Sequence, residues 1–120
     1  MSGAVSYHAG AAAEEIVATR YQREGYVLRD KRWRGARQHG GGEIDLIFEK
    51  GGALTFVEVK KARTFAAAAM RITARQIKRL QAASAGYLAT MPHGQLTDIQ
   101  FDAALVDGQG AVEIVENAFL

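Results

Sequence analysis

The sequence has no cysteine and only one proline, Pro92. Without thiols there is no disulfide framework and no thiolate zinc site, a composition suited to a reducing compartment. No apolar run approaches the ~20 residues needed to span a bilayer. The opening Met1-Ser2-Gly3-Ala4-Val5-Ser6-Tyr7-His8 lacks a basic segment followed by an apolar one, so no secretory signal is expected. The expectation is a soluble, cytoplasmic protein. The three histidines, His8, His39 and His93, are too dispersed for ligand spacing, which argues against a histidine zinc centre and a Ser-His-Asp set. Gly40-Gly41-Gly42 has no Gly-Lys-Ser/Thr after it and is not a phosphate-cradling P-loop.

The length of 120 residues fits one domain, 1–120, with a real core. Apolar content of 48% and charged content of 23% are those of a globular protein. A net charge of +2 hides an uneven distribution. All fifteen Lys and Arg lie between Arg20 and Arg79 beside six acids, a surplus of nine, whereas five acids and no base follow Arg79. Such a segment is either a solvated charged face or a basic surface for a polyanion such as nucleic acid.

Helix formers from Gly10 to about Glu24 place Ala13, Val17 and Tyr21 on one stripe, and Gly25 closes the helix. Tyr26 to Arg34 reads as a strand with a basic end, and the glycine-rich stretch 35–42 as a loop. Glu43–Glu49 and Leu54–Lys60 read as a hairpin turning at Lys50-Gly51-Gly52. Alternation puts Glu43, Asp45 and Ile47 on one face of its first strand and Ile44, Leu46 and Phe48 on the other. In the second strand Phe56, Glu58 and Lys60 share a face. The state of the connection from Lys61 to Arg71 is left open. Thr73 to Ala89 is the clearest helix, apolar along Ile77, Leu80, Ala83, Tyr87 and Leu88. Two strands, Ile99–Val106 and Ala111–Val115, flank the turn Asp107-Gly108-Gln109-Gly110. The order αβββαββ predicts an α/β domain around one mixed sheet.

The hairpin carries the chemistry. Phosphodiester hydrolysis needs a nucleophilic water and neutralisation of charge on the phosphate. Mg²⁺ or Mn²⁺ supplies much of this, and Mg²⁺ favours one or two carboxylates, carbonyls and waters. Asp45 and Glu58 provide carboxylates from neighbouring strands, and the Val59 carbonyl a third oxygen. Lys60, two residues beyond Glu58, shares its face and is placed to orient or deprotonate water or to stabilise the phosphate. An acid, any residue and a lysine also arise by chance on a solvent-facing hairpin.

Asp45 with Glu58-Val59-Lys60 resembles the PD-(D/E)xK nuclease signature. Gly42-Glu43-Ile44-Asp45-Leu46-Ile47 with Phe56-Val57-Glu58-Val59-Lys60 resembles more closely the YraN-like family, small bacterial proteins of restriction-endonuclease-like fold related to archaeal Holliday-junction resolvases. Gly10, Glu14, Gly25-Tyr26, Trp33-Arg34, the helix Thr73–Leu88, Phe101-Asp102 and Glu116-Asn117-Ala118-Phe119 extend the match nearly end to end. The resemblance implies an αβββαβ core, a mixed central sheet flanked by helices, here with a further C-terminal strand. It also implies an acid from the first helix, Glu14 by spacing from Gly10 and Gly25. Periodicity agrees, because Glu14 shares a face with Val17, Ala18 and Tyr21 while Glu15 points away; the other reading is a helix-start acid favoured by the macrodipole.

The chain departs from the family at Gln76, where a lysine is common, and at Phe65-Ala66, where a glycine follows the phenylalanine. Gln76 either hydrogen-bonds behind the site or is a polar surface residue. Trp33 either stacks on a base or caps the core edge. Arg71, Arg75 and Arg79, at four-residue spacing, together with Lys78 either follow a nucleic-acid backbone or form a solvated face. Arg32, Arg34, Arg37, His39, Lys61 and Arg63 complete the candidate nucleic-acid contacts.

Two functions fit. One is a Mg²⁺- or Mn²⁺-dependent endonuclease acting on DNA, including branched or structured DNA. In it Asp45 and Glu58 bind metal, Glu14 ligates directly or through water, Lys60 assists the nucleophile and Glu43 stands behind them. The other is a nucleic-acid-binding module that keeps the fold without catalysis. A protein-interaction domain using the hairpin as scaffold is a third. Kinship with junction resolvases implies a homodimer, although no segment identifies its interface.

Overall fold

Alternating and helical apolar periodicities of this chain resolve into three layers, a sheet between two helical faces. A computed structural model describes residues 2–35 and 42–119, with side chains from Gly10 onward. The elements are α1 (Ser2–Arg23), β1 (Val27–Arg34), β2 (Glu43–Lys50), β3 (Ala53–Lys61), α2 (Phe65–Met70), α3 (Ala74–Leu88), β4 (Ile99–Val106) and β5 (Val112–Val115). The strands stand in sequence order in one five-stranded sheet, antiparallel except where β3 runs parallel to β4. The αβββαβ order with a C-terminal strand is therefore present. The undecided connection contains the short α2, capped by Thr64 Oγ1, which accepts from Ala67 N–H at 3.1 Å.

Helix α1 begins well before the expected Gly10, so Glu14 sits in mid-helix and not at an N-terminus where the macrodipole would explain it. Its stripe Ala13, Val17 and Tyr21 is at most 2% exposed, packed on Leu46, Phe48, Val57, Ala104 and Val106. The helix ends in a Schellman motif: Gly25, at φ +90°, donates to Gln22 O and Tyr26 to Tyr21 O. On the opposite sheet face α3 packs Leu80, Ala83, Tyr87 and Leu88 on Ile44, Ile47, Leu54, Phe56 and Phe101. Trp33 joins this layer edge-on to Tyr87 at 5.2 Å, the core-edge role and not an exposed stacking platform. Each large side chain fully buried in these layers contributes about 1.5–3 kcal/mol relative to exposure.

The hairpin turns tightly. Lys50 pairs with Ala53, and the intervening Gly51 and Gly52 have φ of +61° and +83°, the double left-handed conformation of a type I′ turn. At the far end the regular alternation fails. Ile44 lies with Ile47 on the α3 face, whereas Leu46 and Phe48 lie on the α1 face. The expected grouping of Ile44 with Leu46 and Phe48, and of Asp45 with Ile47, is thus corrected. Lys31 pairs with Leu46 and Trp33 with Ile44, leaving Arg32 and Asp45 on the rung between. Arg32, in β1, has φ +50°, a left-handed residue between extended neighbours. In β2, Asp45 lines a cavity beneath α1 while its neighbours Ile44 and Leu46 stay in the core.

Candidate active site

The β2–β3 ladder runs from Lys50↔Ala53 to Leu46↔Val57 and stops, while β3 stays paired with β4 as far as Lys61↔Val106. The strands therefore splay beyond Val57. Asp45 occupies the opening, and its Oδ2 accepts the Val59 N–H at 2.8 Å. The resulting cavity, of about 320 Å³, is lined by Gly10, Ala13 and Glu14 of α1, by Asp45, Glu58, Val59, Lys60 and Lys61 of the two strands, and by Arg71. Gly10 and Ala13 are small, which opens the helix face beneath the acids. Their three-residue spacing on the face of Glu14 was a signal available in the sequence.

The electrostatics follow from crowding two carboxylates in a half-closed space. Burial first, and then the charge of Glu58, pushes the Asp45 carboxyl up to about 7 from its ordinary 3.8, against the opposing hydrogen bond from Val59. Lys60 Nζ stands 3.2 Å from Glu58 Oε1, with both side chains about 15% exposed or less. Glu14 is also raised, mainly by burial; the Arg32 hydrogen bond opposes that shift and the charge of Asp45 adds to it. Arg32 Nε donates to Glu14 Oε1 at 2.9 Å. Holding a non-glycine residue at Arg32's positive φ costs about 1–3 kcal/mol, and such strain persists only where surrounding contacts impose it.

Asp45 and Glu58 suit a divalent cation. Their repulsion is what a bound cation would relieve, and one or two carboxylates completed by carbonyl and water oxygens are what Mg²⁺ accepts. Among the described residues no group of three or more Asp, Glu or His is assembled as a metal cage. Glu14 lines the cavity with its carboxylate bonded to Arg32, so the candidate centre is the two-carboxylate set with the Val59 carbonyl.

The structure brings Glu14, Asp45, Glu58, Val59, Lys60, Lys61 and Arg71 together. Arg71 Nη1 donates to Lys61 O at 2.6 Å, which anchors the guanidinium on the cavity wall. Arg71 lies at the C-cap of α2, before the Thr73 cap of α3, so it does not share a helix face with Arg75 as the four-residue spacing predicted. Arg75 and Lys78 are exposed on α3, outside the cavity lining, and Arg63 is exposed in the loop after β3. Glu43 accepts from Arg34 Nε at 3.2 Å and does not line the cavity. Gln76 closes a capping box with Thr73, its Oε1 accepting Thr73 N–H at 3.2 Å and its N–H reaching Thr73 Oγ1 at 3.1 Å. That occupies the side chain away from the acids. Arg37 and His39 lie outside the described residues.

A second concavity, an open groove of about 1170 Å³, runs between α1 and β1 and shares Glu14 with the acidic cavity. Sequence periodicity missed it, because it arises from how a helix lies over an edge strand. No helix among the described residues is long and apolar enough to cross a membrane.

The model of the uncharacterised protein family UPF0102 matches residues 13–106, a span that contains Glu14, Asp45, Glu58 and Lys60. A UPF0102 protein of Cereibacter sphaeroides is 53% identical over 119 residues, 99% of this chain and 98% of the relative. One of Ruegeria pomeroyi is 55% identical over 117 residues, covering 98% and 92%, and one of Roseobacter denitrificans 48% identical over 117, covering 98% and 88%. The chain belongs to the UPF0102 family, the YraN-like family that its motifs resemble.

Proposed function

We propose that this UPF0102 protein is a divalent-cation-dependent endonuclease that hydrolyses phosphodiester bonds of DNA, related to the restriction-endonuclease-like nucleases. The observation that carries this reading is the meeting of Asp45 and Glu58 in the splayed end of β2 and β3, with Lys60 Nζ 3.2 Å from Glu58. Two carboxylates forced together in a cleft, beside an ammonium and with Lys61 and Arg71 on the same wall, are the groups that a cation and a phosphate call for.

Asp45, Glu58 and the Val59 carbonyl would hold Mg²⁺ or Mn²⁺, with Asp45 aimed by the Val59 N–H. The bound ion would supply charge neutralisation at the phosphate and ease ionisation of water. Lys60 orients the attacking water or takes part in neutralising the phosphate as the P–O bond to the leaving strand breaks. Lys61 and Arg71, on the cavity wall, bind phosphates flanking the scissile one. Branched or structured DNA as the substrate, and a homodimer, are parts of the reading that come from kinship with junction resolvases.

A nucleic-acid-binding module without catalysis is the second reading. It is favoured by the internal neutralisation of the site, where Lys60 pairs with Glu58 and Arg32 with Glu14. Linear, nicked and four-way DNA incubated with purified protein, with and without Mg²⁺ or Mn²⁺ and beside Asp45→Ala, separates the two. Metal-dependent cleavage lost in the variant supports the nuclease. Salt-sensitive binding without cleavage supports the module.

A further inference from the structure

The groove between α1 and β1 meets the acidic cavity at one ion pair. Glu14 lines both spaces, and Arg32, which lines the groove, holds it at 2.9 Å. Other bases in the groove are Arg20, Arg23 and Lys31, with Arg20 3.7 Å from Glu24. Arg32 lies between the pairs Lys31↔Leu46 and Trp33↔Ile44, level with Asp45, and is held at φ +50°. A guanidinium binds phosphate as well as carboxylate, through the same planar fork of donors.

We propose that the groove seats a phosphodiester strand and that a phosphate of this strand draws Arg32 away from Glu14, releasing the Glu14 carboxylate to complete the metal site. This inference rests on the metal site proposed above and deepens it: nucleic acid and cation bind cooperatively, with Arg32 as the positioning residue that couples them. Without a strand, Glu14 is held by Arg32 and the cation meets two carboxylates; with a strand it meets three. By reciprocity, the cation also tightens the strand by the same factor.

The test is Mn²⁺ affinity, read from the electron paramagnetic resonance of the free ion, with and without a saturating single-stranded phosphorothioate oligonucleotide. The wild type is expected to bind Mn²⁺ at least about fivefold tighter with the oligonucleotide, the lower end of common coupling. Arg32→Asn, whose side chain tolerates a left-handed backbone, is expected to bind Mn²⁺ more tightly than wild type without oligonucleotide and to gain little from adding it. Glu14→Gln is expected to gain nothing from the oligonucleotide, whatever its affinity without it, which reads the same coupling if Arg32→Asn does not fold.

Persistence of the gain in either variant overturns the coupling. If the wild type binds no Mn²⁺, or if Asp45→Asn binds it equally well, the metal site itself is wrong and the coupling falls with it.

Discussion

The backbone N–H of Val59 donates to Asp45 Oδ2 at 2.8 Å across the opening where β2 and β3 cease to pair. A carboxylate there takes the place of the carbonyl that a continued ladder would offer. It satisfies the strand and at the same time sets Asp45, half-enclosed, beside the charge of Glu58, an arrangement that disfavours the ionised carboxylate.

That conflict gives a pH-dependent stability. With the folded-state value of Asp45 raised from 3.8 to about 7, the fold disfavours its charged form. The contribution is neutral below 3.8, stability falls as pH rises from there to about 7, and the penalty is constant above. Asp45→Asn keeps an oxygen for the Val59 N–H and removes the charge. In metal-free buffer it is expected to raise unfolding stability by about 2–4 kcal/mol at pH 8 and by little at pH 4. Urea denaturation at the two pH values checks this, and an equal effect at both would exclude the carboxylate pair as its source.

Lys60 is expected to separate chemistry from metal binding. Removing its ammonium beside Glu58 in Lys60→Ala lowers single-turnover cleavage by about 10²–10³-fold. The same change tightens Mn²⁺, because a neighbouring positive charge has gone. Cleavage by the variant equal to that of wild type would identify a contaminating nuclease and sink the enzymatic reading.

Arg71 is anchored on Lys61 O and faces the cavity. Arg71→Ala is expected to weaken oligonucleotide binding and to reduce the slope of log K against log salt by about one, as for loss of a single phosphate contact. Fluorescence anisotropy over a salt series measures both. An unchanged slope would remove Arg71 from the phosphate-binding set.

Away from the site, Tyr21 and Asp102 form a buried link between α1 and β4. The Tyr21 hydroxyl donates to Asp102 Oδ2 at 2.6 Å, and Asp102 Oδ1 accepts from Gln100 Nε2 at 2.8 Å and Asn117 N–H at 3.1 Å. Asp102 is 1% exposed, so Tyr21→Phe leaves one carboxylate oxygen without its donor and is expected to cost about 1.5–3 kcal/mol. Urea unfolding measures that cost, with Mn²⁺ affinity expected to be unchanged.

Much of this architecture was legible in the order of residues because it depends on local periodicity. The stripe Ala13, Val17 and Tyr21, the double glycine at Gly51 and Gly52, and the apolar side of α3 each determine an element through backbone conformation or one buried face. Spacing of two put Glu58 and Lys60 together, and the strand after the hairpin made them neighbours of Asp45. Alternation failed in β2 at Asp45, and the left-handed Arg32 level with it in β1 follows from no residue preference that arginine has. Gln76 had a local sign of its partner, because Thr73-Ala74-Arg75-Gln76 is the Thr-x-x-Gln spacing of a capping box. The tertiary structure alone decided that Asp45 turns toward α1, that Arg32 holds Glu14, and that Asp102 is buried against Tyr21. Each depends on groups far apart in the chain competing for the same hydrogen bonds in a space that exists only after the sheet has formed.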